Sequence, residues 1–257
     1  MPEKRVWILL RGLVREQRHW ENFPDVLRSC LPDDKFILYD FPGNGQRYNE
    51  TSATTIIDMV NDIRSFISNL AIKEPVHIIA LSLGAMVAVE WMNRYPEECA
   101  GTVLISTSLR GLNPFYQRLL LSNYPSIFKS LILTEDIYQK ESRNLKLVSN
   151  IVANDKIKSD VIINHWVNYA KQYPVSGANG LKQLIAAMRF RVPTHRPNVP
   201  MLVLRSLSDH LVSPVCSSTL ASHWQLPIET HKTAGHDIPL DDGNWVCEKV
   251  IQWLKNK

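Results

Sequence analysis

The chain has 257 residues, 45% hydrophobic and 21% charged, with a formal net charge of +4. That balance belongs to a globular protein of one domain, or one domain with an insertion, whose core needs neither disulfide nor metal. Its basic residues are scattered rather than massed, which argues against a nucleic-acid partner, and no apolar run approaches the roughly 18 residues of a membrane span.

Apolar runs bounded by turn residues predict strands at 6–10 ("VWILL"), 36–40 ("FILYD"), 76–81 ("VHIIAL"), 102–106 ("TVLIS"), 201–206 ("MLVLRS") and, more weakly, 228–232 ("IETHK"). Near-continuous apolar runs suit strands covered on both faces of a parallel sheet. Helices are expected between them. One spans 20–30. A second, 54–70, places Ile56, Ile57, Val60, Ile63 and Ile67 on one face after a Thr/Ser run suited to capping. A third, 85–95, stops before Pro96, and a last one covers 245–254. The alternation predicts an α/β fold, a mostly parallel sheet of about six strands flanked by helices. Between the fourth and fifth strands lies a stretch with helical patterns only. It reads as a helical cap, residues 110–190, inserted into a core formed by 1–109 and 191–257, over the sheet edge where such folds bind ligands.

The four cysteines, Cys30, Cys99, Cys216 and Cys247, form no C-x-x-C and have no histidines at zinc-ligand spacing. They read as reduced, small apolar side chains, and no metal is implied. The apolar run after "MPEKR" is about five residues, too short for a signal-peptide core, so the expected compartment is the cytoplasm.

"ALSLGA" places Ser82 where a strand turns into a helix. Small residues two before and two after, Ala80 and Gly84, meet the steric demand of a nucleophile elbow. A serine capping the next helix is the competing reading. A hydroxyl needs a base, and a base needs an orienting carboxylate. His236 in "TAGHDIPLDDG" and Asp209 in "RSLSDHLVSP" both follow predicted strands, on the same sheet edge as Ser82 and in the order Ser, Asp, His. Each has a plain alternative: Asp209 as a helix cap, His236 as a loop hydrogen-bonder.

The stretches "LLRGL", "YDFPGNG", "ALSLGAMVAVEWMNRYPE", "VPMLVLRSLSDHLVSP" and "TAGHDIPLDD" together resemble the α/β-hydrolase superfamily over almost the whole chain apart from the insertion. The layout is similar to that of the small capped carboxylesterases, the pimeloyl-carrier-protein methyl ester esterases among them. The resemblance implies Ser82 as nucleophile, His236 as base and Asp209 as the acid that holds it, with the backbone N–H groups of Leu13 and Leu83 as the oxyanion hole. It implies cleavage of a carboxylic ester or thioester of a small, largely apolar acyl compound, without a cofactor. The superfamily also contains lactonases, carbon–carbon bond hydrolases, perhydrolases and non-catalytic ligand-binding proteins. Its usual His-Gly is replaced by Arg11-Gly12. Arg11 then either binds an anionic part of the substrate, or holds the oxyanion loop through a salt bridge, or is a solvated replacement. Asp241 and Asp242 read as helix-start residues.

In the cap, Phe115, Tyr116, Phe128, Trp166, Tyr169, Met188 and Phe190 are candidates to line an acyl pocket, with Phe115, Trp166 and Phe190 foremost. Arg110, Arg118, Lys129, Lys140 and Arg143 form either a docking face for an acyl carrier or a solvated surface. The expected assembly is a monomer or small homo-oligomer.

Overall fold

In a computed structural model of the chain, which describes residues 4–125 and 136–256, the six apolar runs form six parallel strands. These are β1 (Val6–Leu10), β2 (Lys35–Tyr39), β3 (Val76–Leu81), β4 (Cys99–Ile105), β5 (Met201–Ser206) and β6 (Ile228–His231), in the spatial order β2-β1-β3-β4-β5-β6. All of β3 and four of five residues of β1 are buried, as strands covered on both faces must be. Their side chains still alternate. Ile8, Leu10, Ile78, Ala80 and Leu104 join one apolar cluster, while Trp7, Leu9, Ile79, Leu81, Val103 and Ile105 join another on the opposite face.

Helices α2 (Ile56–Asn69), α3 (Leu83–Arg94) and α9 (Pro214–Trp224) cover the first face; α1 (Phe23–Cys30) and α10 (Ile238–Lys255) cover the second. On α2, Ile56, Met59, Val60, Ile63 and Ile67 are buried at helical spacing. Each such side chain contributes roughly 1.5–3 kcal/mol when removed from water. Thr55 caps the helix by accepting from the Asp58 N–H at 3.3 Å. Two predicted helices are corrected. The first begins only at Phe23, after a separate 3-10 turn, Gln17–Trp20, capped by Glu16; Pro24 suits a helix start because it lacks an N–H. The last begins at Ile238, seven residues early, with Pro239 in its first turn and a non-helical break at Asp242.

Between β4 and β5 the described residues form α4 (Phe115–Arg118), a 3-10 turn (Leu121–Asn123), α5 (Ile137–Val148), α6 (Ile151–Asn154), α7 (Lys156–Gln172) and α8 (Gly177–Arg189). Leu145, Val152, Ile163, Trp166 and Val167 make a small core of their own there.

The chain leaves β1 toward β2 on one side, then returns to place β3 on the other. Ligands of open α/β sheets bind at such a reversal, beyond the carboxyl ends of the strands. Leu10 pairs with Ala80, so the segments that follow, Arg11–Val14 and Ser82, emerge side by side. No helix among the described residues is long and apolar enough to cross a membrane, and no group of three or more His, Cys, Asp or Glu among them could hold a metal ion.

Candidate active site

Ser82 links β3 to α3 with φ +56° and ψ −112°. A non-glycine residue in this region is strained by roughly 1–3 kcal/mol and is held there only by its surroundings. Its N–H donates to the Ile105 carbonyl at 2.9 Å, and its carbonyl accepts from the Thr107 hydroxyl at 3.2 Å. The side chain makes no capping hydrogen bond to α3, so its hydroxyl is not spent on the helix. Gly84 is required by contact: a Cβ there would lie 2.5 Å from the Leu10 carbonyl oxygen and 2.8 Å from that of Arg11. Ala80, fully buried, fits as the other small residue of the turn.

Gly12 lies over the serine, where a Cβ would meet Ser82 Cβ at 3.4 Å and Oγ at 3.9 Å. The next residues turn back, with Arg15 N–H donating to the Gly12 carbonyl at 3.3 Å and Val14 at φ +53°. Neither the Leu13 nor the Leu83 N–H has a hydrogen-bond partner among the described residues. Two free donors thus flank the serine, one on the loop and one at the N-terminus of α3, where the helix dipole favours negative charge.

His236 and Asp209 are brought together. His236 Nδ1 donates to Asp209 Oδ2 at 2.8 Å, and both residues are buried. The other carboxylate oxygen accepts from the Leu211 and Val212 N–H groups at 2.8 and 2.9 Å, which fixes the plane of the acid. With Nδ1 committed to Asp209, Nε2 is the nitrogen free to act as a base.

Arg11 is 2% exposed. Its guanidinium donates to both oxygens of Asp237, at 3.3 and 2.5 Å, and stacks on Trp20 with 4.6 Å to the ring centre. The pair ties the end of β1 to the residue after His236. Phe115, Trp166 and Phe190 occupy three separate settings. Phe115 is 65% exposed on α4. Trp166 is buried in the core of the helical segment and donates to Glu21 at 3.0 Å. Phe190 is buried at the end of α8. Arg118 donates to the Ala187 carbonyl at 2.8 Å, and Arg110 is exposed. Phe128 and Lys129 lie outside the described residues.

Three residues that hold this site had no sequence signal that distinguished them. Asp237 caps α10, accepting from Leu240 N–H at 3.3 Å while holding Arg11. Asp241 does far more than start a helix. It accepts from the N–H groups of Gly235 (2.6 Å), Asn150 (2.9 Å), Ile151 (3.1 Å) and Val152 (3.0 Å), and from the Ser149 hydroxyl. One carboxylate therefore joins the histidine loop to the N-terminus of α6. Gln183 of α8, fully buried, accepts from the Val14 N–H at 2.9 Å and donates to Asn44 at 2.8 Å and Ser52 at 3.0 Å.

The fold agrees with comparison to known proteins. The model of the family described as "Serine aminopeptidase, S33" matches residues 30–242. The chain belongs to that family, a hydrolase family of the α/β-hydrolase superfamily. BpoC of Mycobacterium tuberculosis (strain H37Rv), whose name places it among the non-heme bromoperoxidases, is 27% identical over 211 residues, 81% of this chain and 76% of its own. The 2-hydroxy-6-oxo-6-phenylhexa-2,4-dienoate hydrolase of Rhodococcus sp. strain RHA1 superposes with a TM-score of 0.79 at 17% identity, covering 99% of this chain and 92% of its own. The enol-lactonase of Burkholderia xenovorans LB400 gives 0.78 at 15% identity, covering 98% and 92%.

Proposed function

We propose that this protein is a serine hydrolase that cleaves a carboxylic ester or thioester of a small, largely apolar acyl compound through an acyl-enzyme. The observation that carries the reading is the elbow at Ser82, strained at φ +56°, with its hydroxyl uncommitted and a His–Asp pair on the same sheet edge. His236 Nε2 takes the hydroxyl proton as Ser82 Oγ bonds to the acyl carbon. The tetrahedral intermediate collapses as His236 returns that proton to the departing alcohol or thiol. Water, deprotonated by the same nitrogen, then releases the acid and restores the serine. Asp209 holds the imidazole in the required tautomer and stabilises its charged form. The N–H groups of Leu13 and Leu83 receive the developing oxyanion; losing one such donor costs about 3 kcal/mol in the transition state. The helical segment 110–190 serves as a cap that shapes the acyl site.

A fluorophosphonate probe tests this directly. Wild-type protein should be labelled covalently, and Ser82→Ala should not. Absence of labelling in the wild type, or equal labelling of the two, removes Ser82 as the nucleophile.

A further inference from the structure

A cleft of about 620 Å³ opens away from the candidate active site, between the N-terminus of α2, the last turn of α3 and the chain leaving α8. Ser82 precedes α3 and Arg94 ends it, so twelve helical residues put roughly 18 Å between Ser82 and Arg94. Its walls concentrate positive charge. Arg94, Arg189 and Arg191 line it against a single carboxylate, Glu90, which is buried and takes Arg94 at 2.9 Å. Arg189 and Arg191 have no ion-pair partner among the described residues. Arg110 stands beside Arg191, joined by a backbone bridge between the two strands of chain that enter and leave the helical segment.

Arginines that end helices complement the helix dipole, and that accounts for Arg94 and Arg189. It does not account for Arg191, which lies beyond both helices. Like charges gathered in a cleft repel one another unless an anion joins them, and a concave wall strengthens their shared field. The rest of the lining is mixed: Asn93, Thr194 and His195 are polar, and Ile57, Phe190 and Val192 supply an apolar wall.

We propose that this cleft binds a small amphipathic phosphate monoester. Three arginines against one glutamate leave two positive charges, matching the −1.5 to −2 of such a phosphate near neutral pH. Arginine forks engage its oxygens in pairs, and the apolar wall takes the organic substituent. The site is separate from the hydrolytic chemistry and does not rest on it.

Calorimetric titration at low ionic strength tests it with hexyl phosphate, inorganic phosphate and hexanoate. Hexyl phosphate should bind saturably and tightest, with inorganic phosphate weaker. The Arg189→Ala/Arg191→Ala double variant replaces two exposed side chains, and a thermal melt checks that it is folded. It should bind hexyl phosphate about tenfold more weakly or worse, the loss expected of two phosphate contacts. No saturable binding, or equal affinity in the double variant, overturns the site. Hexanoate binding as tightly as hexyl phosphate overturns the assignment of a phosphate.

Discussion

The residue whose environment most changes its meaning is Arg11. The sequence left it facing substrate, bracing the loop or solvated, and the structure buries it in a two-point pair with Asp237. Desolvating both charges is costly, and their attraction offsets that cost only while both are present. Removing one leaves a buried, unpaired charge. Arg11→Met should therefore destabilise the fold by about 3–5 kcal/mol, read from urea unfolding. Asp237→Leu should do the same. The double variant Arg11→Met/Asp237→Leu should recover most of the loss, because no lone charge remains. If Arg11→Met instead keeps its stability while an acidic ester loses ground to a neutral one, the guanidinium serves substrate. Asp237 also caps α10, so its single variant should be the worse of the two.

At the scale of elements, helix α8 is coupled to the loop after β1 through the side chain of Gln183. Gln183 holds the Val14 N–H at 2.9 Å, and Val14 is a β-branched residue at φ +53°, a conformation that persists only when imposed. Removing the amide in Gln183→Leu should relax the loop, displace the Leu13 N–H and slow fluorophosphonate labelling by about tenfold, short of the 10²–10³ of a deleted oxyanion donor. Gln183→Glu keeps the acceptor for Val14 but loses the donors to Asn44 and Ser52. It should restore the labelling rate while still lowering the melting temperature, a split that a purely structural role would not give. This coupling also marks where the sequence stopped being legible. Strands announce themselves because burial on both faces makes runs such as "VHIIAL" continuous, and β1, β3 and β5 have the predicted boundaries. Ser82, Asp209 and His236 stand out in the sequence because the proposed chemistry requires particular residue types at strand ends in a particular order. Gln183 lies 169 residues from its partner Val14, and nothing local separates it from a solvated glutamine. Asp241 shows the same limit, since a short acidic run reads as a helix start whether it caps its own helix or another one. For the cap aromatics, the sequence shows which are large and apolar but not which way they face, and Trp166 turns inward while Phe115 turns out.

Across the whole molecule, the helical segment meets the core through charged and aromatic contacts as well as apolar ones, which makes the joint sensitive to pH. Arg15 reaches Glu141 at 2.9 Å, Glu21 takes Trp166 at 3.0 Å and His165 at 2.9 Å, and Arg18 lies over Tyr169 and Tyr173. His19 is buried in the middle of this joint, its ring 5.4 Å from those of both Trp166 and Tyr169, and its Nε2 accepts from Arg15 at 3.0 Å. Burial, and then the neighbouring Arg15 and Arg11, hold its pKa well below the ordinary 6.5. The unfolded chain therefore binds a proton at His19 that the folded one refuses. The stability this confers is complete above about pH 6.5 and is lost as the pH falls toward the folded value, by at most about 1.4 kcal/mol per pH unit. Glu16 beside it works in the opposite sense: burial raises its pKa, so its contribution is present below the ordinary 4.5 and fades as the pH rises through the folded value. Comparing wild type with His19→Asn separates the two, since only the histidine is removed. Unfolding free energy should fall between pH 7.5 and 5.5 in the wild type and fall less steeply in the variant, whatever the variant's absolute stability. Equal slopes would show that the proton is taken up elsewhere and that the joint between helical segment and core is indifferent to His19.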